Sequence, residues 1–181
     1  EPLQLSDEPL GISGFRFARR GDRLVYTASV LPDVAHDKQR ETAAQRAKAG
    51  PNARHFTRQP VRHWDHWLHE NDDMANTHLI ACRSDGNQRT DLTPDARREL
   101  AIEPEFDVSD DGRQVAITWS TPGQDREQDT ALRVFDLDAG TDRLLGAEAC
   151  CNLESPLFAP DGRTVRWLPS LRQAIRWVFA I

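Results

Sequence analysis

The chain has 181 residues, 38% of them hydrophobic and 29% charged, with a formal charge of −6 at neutral pH. That length suits one domain of ~150 residues, or one with an appendage, and the longest apolar run, Trp177 to Ile181, falls far short of the ~20 residues that cross a bilayer as a helix. The 23 Lys and Arg are mixed with 29 Asp and Glu, so neither the basic face of a nucleic-acid binder nor the basic helix of a membrane-surface protein emerges; no nucleic acid and no membrane is expected as a partner.

The chain opens on Glu1 rather than Met, without the basic-then-apolar start of a signal peptide. The first pattern is a repeat. Phe15 to Thr27 reads F-R-F-A-R-R-G-D-R-L-V-Y-T, with Arg20-Gly21-Asp22 at its corner. That tripeptide is also an integrin-type string, but as a hairpin tip it needs no such role. The segment 32–76 then interrupts. Its first part, Asp33 to Ala49, is rich in Ala, Gln, Glu, Lys and Arg without Gly or Pro, which predicts a surface helix starting after Pro32 and stopped by Gly50-Pro51. Beyond it, His78 to Cys82, the turn Ser84-Asp85-Gly86-Asn87 and Arg89 to Thr93 read as a second hairpin.

Phe106 to Thr118, F-D-V-S-D-D-G-R-Q-V-A-I-T, repeats the opening unit with Gly112 at its corner. Asp110-Asp111-Gly112 tolerates the positive φ of a tight turn, and the alternation of Val115 and Ile117 with polar or small neighbours predicts a strand. Leu132 to Leu137, the turn Asp138-Ala139-Gly140-Thr141 and Arg143 to Leu145 form the next hairpin. Leu157 to Leu168 is the third copy, cornered at Gly162. Gly112 and Gly162 lie 50 residues apart, the length of a four-stranded propeller blade. The expected fold class is therefore all-β: a partial β-propeller of four-stranded antiparallel blades with one helical insertion. Blade one covers 14–93 with the insertion at 32–76, blade two 104–150, and blade three begins within 155–181. The conformation of 169–181 is left open.

The strings S-D-D-G and A-P-D-G resemble the S-P-D-G hallmark of TolB-like propeller repeats, and Arg89-Thr90-Asp91-Leu92-Thr93-Pro94 looks like their R-x-L-T-P closure. Arg58 to Trp67, R-Q-P-V-R-H-W-D-H-W, is similar to the P-V-R-x-W-D segment of prolyl oligopeptidase family serine peptidases, in the acylaminoacyl-peptidase and dipeptidyl-peptidase-like branch. Phe106-Asp107-Val108-Ser109 resembles their F-D-V-S-P-D-G, and together these features span about Gly14 to Leu168. The resemblance implies a propeller that gates short peptides to a separate α/β-hydrolase domain bearing Ser, Asp and His. Partners would be that domain, the remaining blades and a short peptide, with self-association possible through open blade edges. No G-x-S-x-G nucleophile elbow occurs; Gly11-Ile12-Ser13-Gly14-Phe15 matches half of one. No catalytic, cofactor-binding or metal-binding residue is therefore assigned, and no cofactor is expected. The alternatives are a non-enzymatic TolB-like scaffold for protein binding and, third, a His-cluster metalloprotein.

The remaining constellations have plainer readings. His63, His66 and His69 would share a broad helix face, with Asp65, His55 and His78 nearby, yet the string matches neither H-E-x-x-H nor H-x-x-E-H. Trp64 and Trp67 account for it as a buried arm. Asp107, Asp110 and Asp111, or Asp136 and Asp138, lack the spacing of a calcium loop and read as turn and strand-edge acids. Glu103 and Glu105 flank Pro104 and read as solvated loop acids rather than ligands for a peptide amine. Cys82, Cys150 and Cys151 make an odd number without metal spacing, which predicts free thiols and hence the cytoplasm.

Overall fold

The computed structural model describes residues 4–49, 61–63, 66–68, 75–96, 99–100, 104–122, 128–145 and 151–171. The fold is all-β. The first sheet contains β1 (Ile12–Phe17), β2 (Leu24–Val30), β5 (Asn76–Cys82) and β6 (Thr90–Asp91) in the order β1-β2-β5-β6. Helix α1 (Gln39–Ala49) and the small hairpin of β3 (Val61–His63) and β4 (His66–Leu68) are inserted between β2 and β5. The second sheet is an uninterrupted meander of β7 (Phe106–Val108), β8 (Gln114–Pro122), β9 (Gln128–Asp136) and β10 (Thr141–Leu145). A third hairpin pairs β11 (Cys151–Phe158) with β12 (Val165–Leu171). Every pairing is antiparallel, and the two four-stranded sheets are propeller-like. Among the described residues no helix is long and apolar enough to cross a membrane.

The sheets stack face to face. Val25, Leu79 and Ala81 of the first meet Phe106, Val115, Ile117, Trp119 and Phe135 of the second. The alternation along β8 sends Ala116 the other way, where it joins Val134 and Phe158 of the third hairpin. The second sheet is thus covered on both faces, and Val115, Ala116 and Ile117 are each 0% exposed.

Corner chemistry sets the spacing of the stack. Gly112 has φ +73° and donates its amide to Ser109 O at 2.8 Å. Asp111 Oδ1 accepts Ser109 Oγ–H at 2.7 Å and Arg113 N–H at 3.1 Å, and the Ser109 bond first, then the Arg113 amide, holds this carboxyl below its ordinary range. Asp161 does the same with the Arg163 and Thr164 amides beside Gly162. Gly21 serves differently. A Cβ there would collide with the Asp111 carbonyl, so glycine at this corner lets one hairpin tip rest on the next. The contact is sealed by Arg20 N–H donating to Asp110 O at 2.7 Å.

The predicted helix begins later than its composition suggests. Asp33 sits at φ +59°, and a short 3-10 turn at His36–Lys38 precedes α1. The cause is Gln39, which is 2% exposed. Its Nε2 donates to Leu31 O at 3.0 Å and Val34 O at 2.7 Å, while its Oε1 accepts Leu31 N–H at 2.7 Å. Those bonds satisfy backbone groups of 31–34 in a non-helical path, so helix propensity is overruled there. The rest of α1 lies on the surface, as its composition implies.

The far face of the first sheet, lined by Leu24, Tyr26, Ala28, Ile80 and Cys82, is covered by Leu5 of the N-terminal segment. Glu8 anchors that segment. Its side chain is 3% exposed, and its carboxylate accepts Tyr26 Oη–H at 2.7 Å and Arg89 Nε–H at 2.7 Å and Nη2–H at 3.2 Å. Burial pushes the Glu8 carboxyl up, but the bonds from Arg89 and Tyr26 outweigh it and hold the group below its ordinary 4.5. Burial and the same bond raise the Tyr26 phenol, and burial raises the Cys82 thiol. Cys82 is buried and unpaired, as expected of a free thiol; the described residues do not include Cys150.

Three outcomes follow for stability. Glu8→Ala should cost about 2 kcal/mol, because it strands partners that are partly withdrawn from water; urea unfolding measures it. The folded chain holds Glu8 at a lower pKa than the unfolded chain, so the unfolded state takes up the proton first. The contribution is full above the unfolded value near 4.5 and is lost as pH falls below it, and Glu8→Gln should flatten that slope. Gly21→Ala should cost roughly 1–3 kcal/mol through overpacking against the Asp111 carbonyl, measured by thermal unfolding.

Candidate functional site

The first strand of each sheet contributes to one open cleft of about 330 Å³. It is lined by Gly14 and Arg16 of β1, by Pro104, Glu105 and Phe106 entering β7, and by Ser155 and Pro156 of β11. Local sequence places them there. Gly14 and Arg16 pair with Thr27 and Val25 across β1–β2, and Val25 belongs to the face that meets the second sheet. Arg16 accordingly lays its guanidinium over the Phe106 ring, 5.8 Å from the centroid.

β7 and β11 belong to different sheets and share no backbone ladder. Carboxylates bridge them instead. Register shifts between Glu154 and Leu157, and Ser155 takes φ +51°, which turns its amide out of the β11–β12 ladder. Glu105 accepts that N–H at 2.5 Å and the Ser155 hydroxyl at 3.2 Å through each oxygen. Two residues on, Asp107 Oδ2 accepts the Phe158 N–H at 2.8 Å. Glu105 was expected as a solvated loop acid. It is exposed, yet it joins two sheets, because the bulge presents a donor that no sequence pattern reveals. Glu103 lies outside the described residues.

The other acids have structural partners. Asp110 faces Arg19 at 3.9 Å and Arg20 at 4.0 Å. Asp136 Oδ1 accepts the amides of Asp138 at 3.1 Å and Ala139 at 2.9 Å, and Asp138 faces Arg23 at 3.5 Å and Arg113 at 3.4 Å. The shared helix face imagined for the histidines is replaced by a hairpin: His63 and His66 are opposed across β3–β4. His55, Trp64, Asp65 and His69 lie outside the described residues. Among the described residues no group of three or more His, Cys, Asp or Glu could hold a metal ion.

His78 sits in β5, 3% exposed, with Nδ1 2.7 Å from Asp91 Oδ2. This is the geometry of a base and its orienting acid. Among the described residues its buried Nε2 has no hydrogen-bond partner. Ser13, the serine of the half-matched elbow, bonds Thr27 Oγ1 at 2.9 Å. The sequence reading missed Arg16, Phe106 and Ser155. Its only available signal was that Arg16 and Asp107 occupy equivalent positions in F-R-F and F-D-V.

The chain is 26% identical over 174 residues to dipeptidyl-peptidase 5 of Porphyromonas endodontalis, a match covering 91% of this chain and 24% of that protein. It therefore spans about a quarter of the length of this curated relative, and the similarity supports a relationship to a peptidase family. No protein-family model matches the chain.

Replacing Glu105 and Asp107 together by Gln and Asn should loosen the third hairpin from β7. Each weakened bond is worth about 1 kcal/mol, so amide exchange at Ser155 and Phe158 should speed up by roughly tenfold, read by hydrogen–deuterium exchange.

Proposed function

We propose that this chain is the non-catalytic propeller portion of a serine peptidase and that it gates short peptides to a catalytic unit carried elsewhere in the protein. The observation that carries the reading is the 174-residue similarity to a dipeptidyl peptidase, which runs through stacked four-stranded sheets. Blade one then covers 14–93 with its insertion at 32–76, blade two 104–150, and blade three starts within 155–181. In this arrangement the first strands β1, β7 and β11 line the passage, and the cleft between them opens where a peptide travels. The partners are an α/β-hydrolase domain and further blades, and the free Cys82 supports a reducing compartment, the cytoplasm.

The test is the full-length gene product. Its sequence beyond Ile181 should contain G-x-S-x-G followed by Asp and His. The 181-residue chain alone should leave dipeptidyl nitroanilides intact, whereas the full-length protein should cleave them and should process short peptides but not folded proteins. A full-length product with no hydrolase segment and no such activity would sink the reading in favour of a protein-binding scaffold.

A further inference from the structure

We propose that the cleft between the first strands is a carboxylate-binding subsite for peptides, with Arg16 as its ligand residue; this rests on the peptide-handling reading above. The charges around Arg16 set it apart. Arg19, Arg20 and Arg23 of the same hairpin each face an aspartate at 3.5–4.0 Å. Among the described residues no carboxylate pairs with Arg16. Its guanidinium is held flat over Phe106 and gives one N–H, at Nη1, to the Phe15 carbonyl at 3.1 Å. Those contacts fix the plane of the fork and leave most of its five donors uncommitted.

The rest of the lining narrows the ligand. Pro104 and Pro156 have no amide hydrogen to offer. The Ser155 amide and hydroxyl are already taken by Glu105, whose two oxygens are thereby engaged. Arg16 is thus the charged donor the cleft presents, and a planar guanidinium matches a carboxylate with two parallel hydrogen bonds. A space of about 330 Å³ holds one or two residues of extended peptide, not a folded chain. The carboxylate can be a peptide's C-terminus or an Asp or Glu side chain; both present the same group to the fork.

The test titrates the isotope-labelled 181-residue chain with Ala-Ala-Ala, its C-terminal amide, and the amides of Ala-Asp-Ala and Ala-Asn-Ala. Amide shifts of Gly14, Arg16, Phe106 and Ser155 report the cleft. A peptide carrying a carboxylate should bind roughly tenfold or more tightly than its uncharged counterpart, and which of the two acids binds identifies the source. Arg16→Gln should abolish the preference, Arg16→Lys should keep part of it, and added salt should weaken it. Both variants should retain the parent spectrum away from the cleft, because Arg16 is exposed and pairs with no described acid. Equal binding of charged and uncharged peptides would overturn the Arg16 assignment while leaving peptide binding in place. Shifts from acetate but from no peptide would remove the peptide role, and no cleft shift with any ligand would remove both.

Discussion

Burial of the second sheet on both faces is the constraint on which the rest of the structure depends. Val115 and Ile117 point to the first sheet and Ala116 to the third hairpin, so β8 must satisfy two neighbours with one period-2 pattern. A slip of one residue would send the branched side chains toward Phe158 and the alanine toward Leu79. Burying each of the larger side chains contributes about 1.5–3 kcal/mol, so the register is strongly fixed. Ala116 packs with Phe158 on one side, and the branched Val115 and Ile117 pack against the first sheet on the other.

Stacked sheets cannot exchange ladder hydrogen bonds, and here acidic side chains carry the polar links between them. Glu105 and Asp107 reach from β7 to amides of β11, Asp110 meets the arginines of the preceding corner, and Glu8 ties the N-terminal segment to Tyr26 and Arg89. Unlike Arg19, Arg20 and Arg23 of its own hairpin, Arg16 faces no described carboxylate, and it lies where the first strands β1, β7 and β11 line the cleft.

His78 and Asp91 have the form of half a catalytic apparatus, and their bonds also hold two strands of the first sheet together. The pair joins β5 to β6, which is only two residues long. Asp91 Oδ1 also accepts the Thr93 N–H, and Thr93 Oγ1 in turn accepts the Leu79 N–H. Side chains thus extend a strand whose backbone ladder is too short to hold it.

The glycine-cornered hairpins were legible in the sequence because turn chemistry and period-2 alternation are local: Asp111-Gly112 and Asp161-Gly162 fix their turns within four or five residues, whereas the β3–β4 hairpin was not read. Helix α1 was legible in type but not at its start, since Gln39 reaches back eight residues to Leu31 and the composition of 33–38 carries no trace of that contact. Gly21 was read as a corner glycine, but its reason is a carbonyl 90 residues later in the chain. The cleft was not legible at all. Glu105 and Ser155 are separated by 50 residues, and Arg16 and Phe106 by 90. The sequence determined the strands, the turns and the all-β class, through bonds between near neighbours. Only the stacking of sheets decided which acids became joints and brought Arg16 over Phe106, because those contacts depend on distances that chain order does not encode.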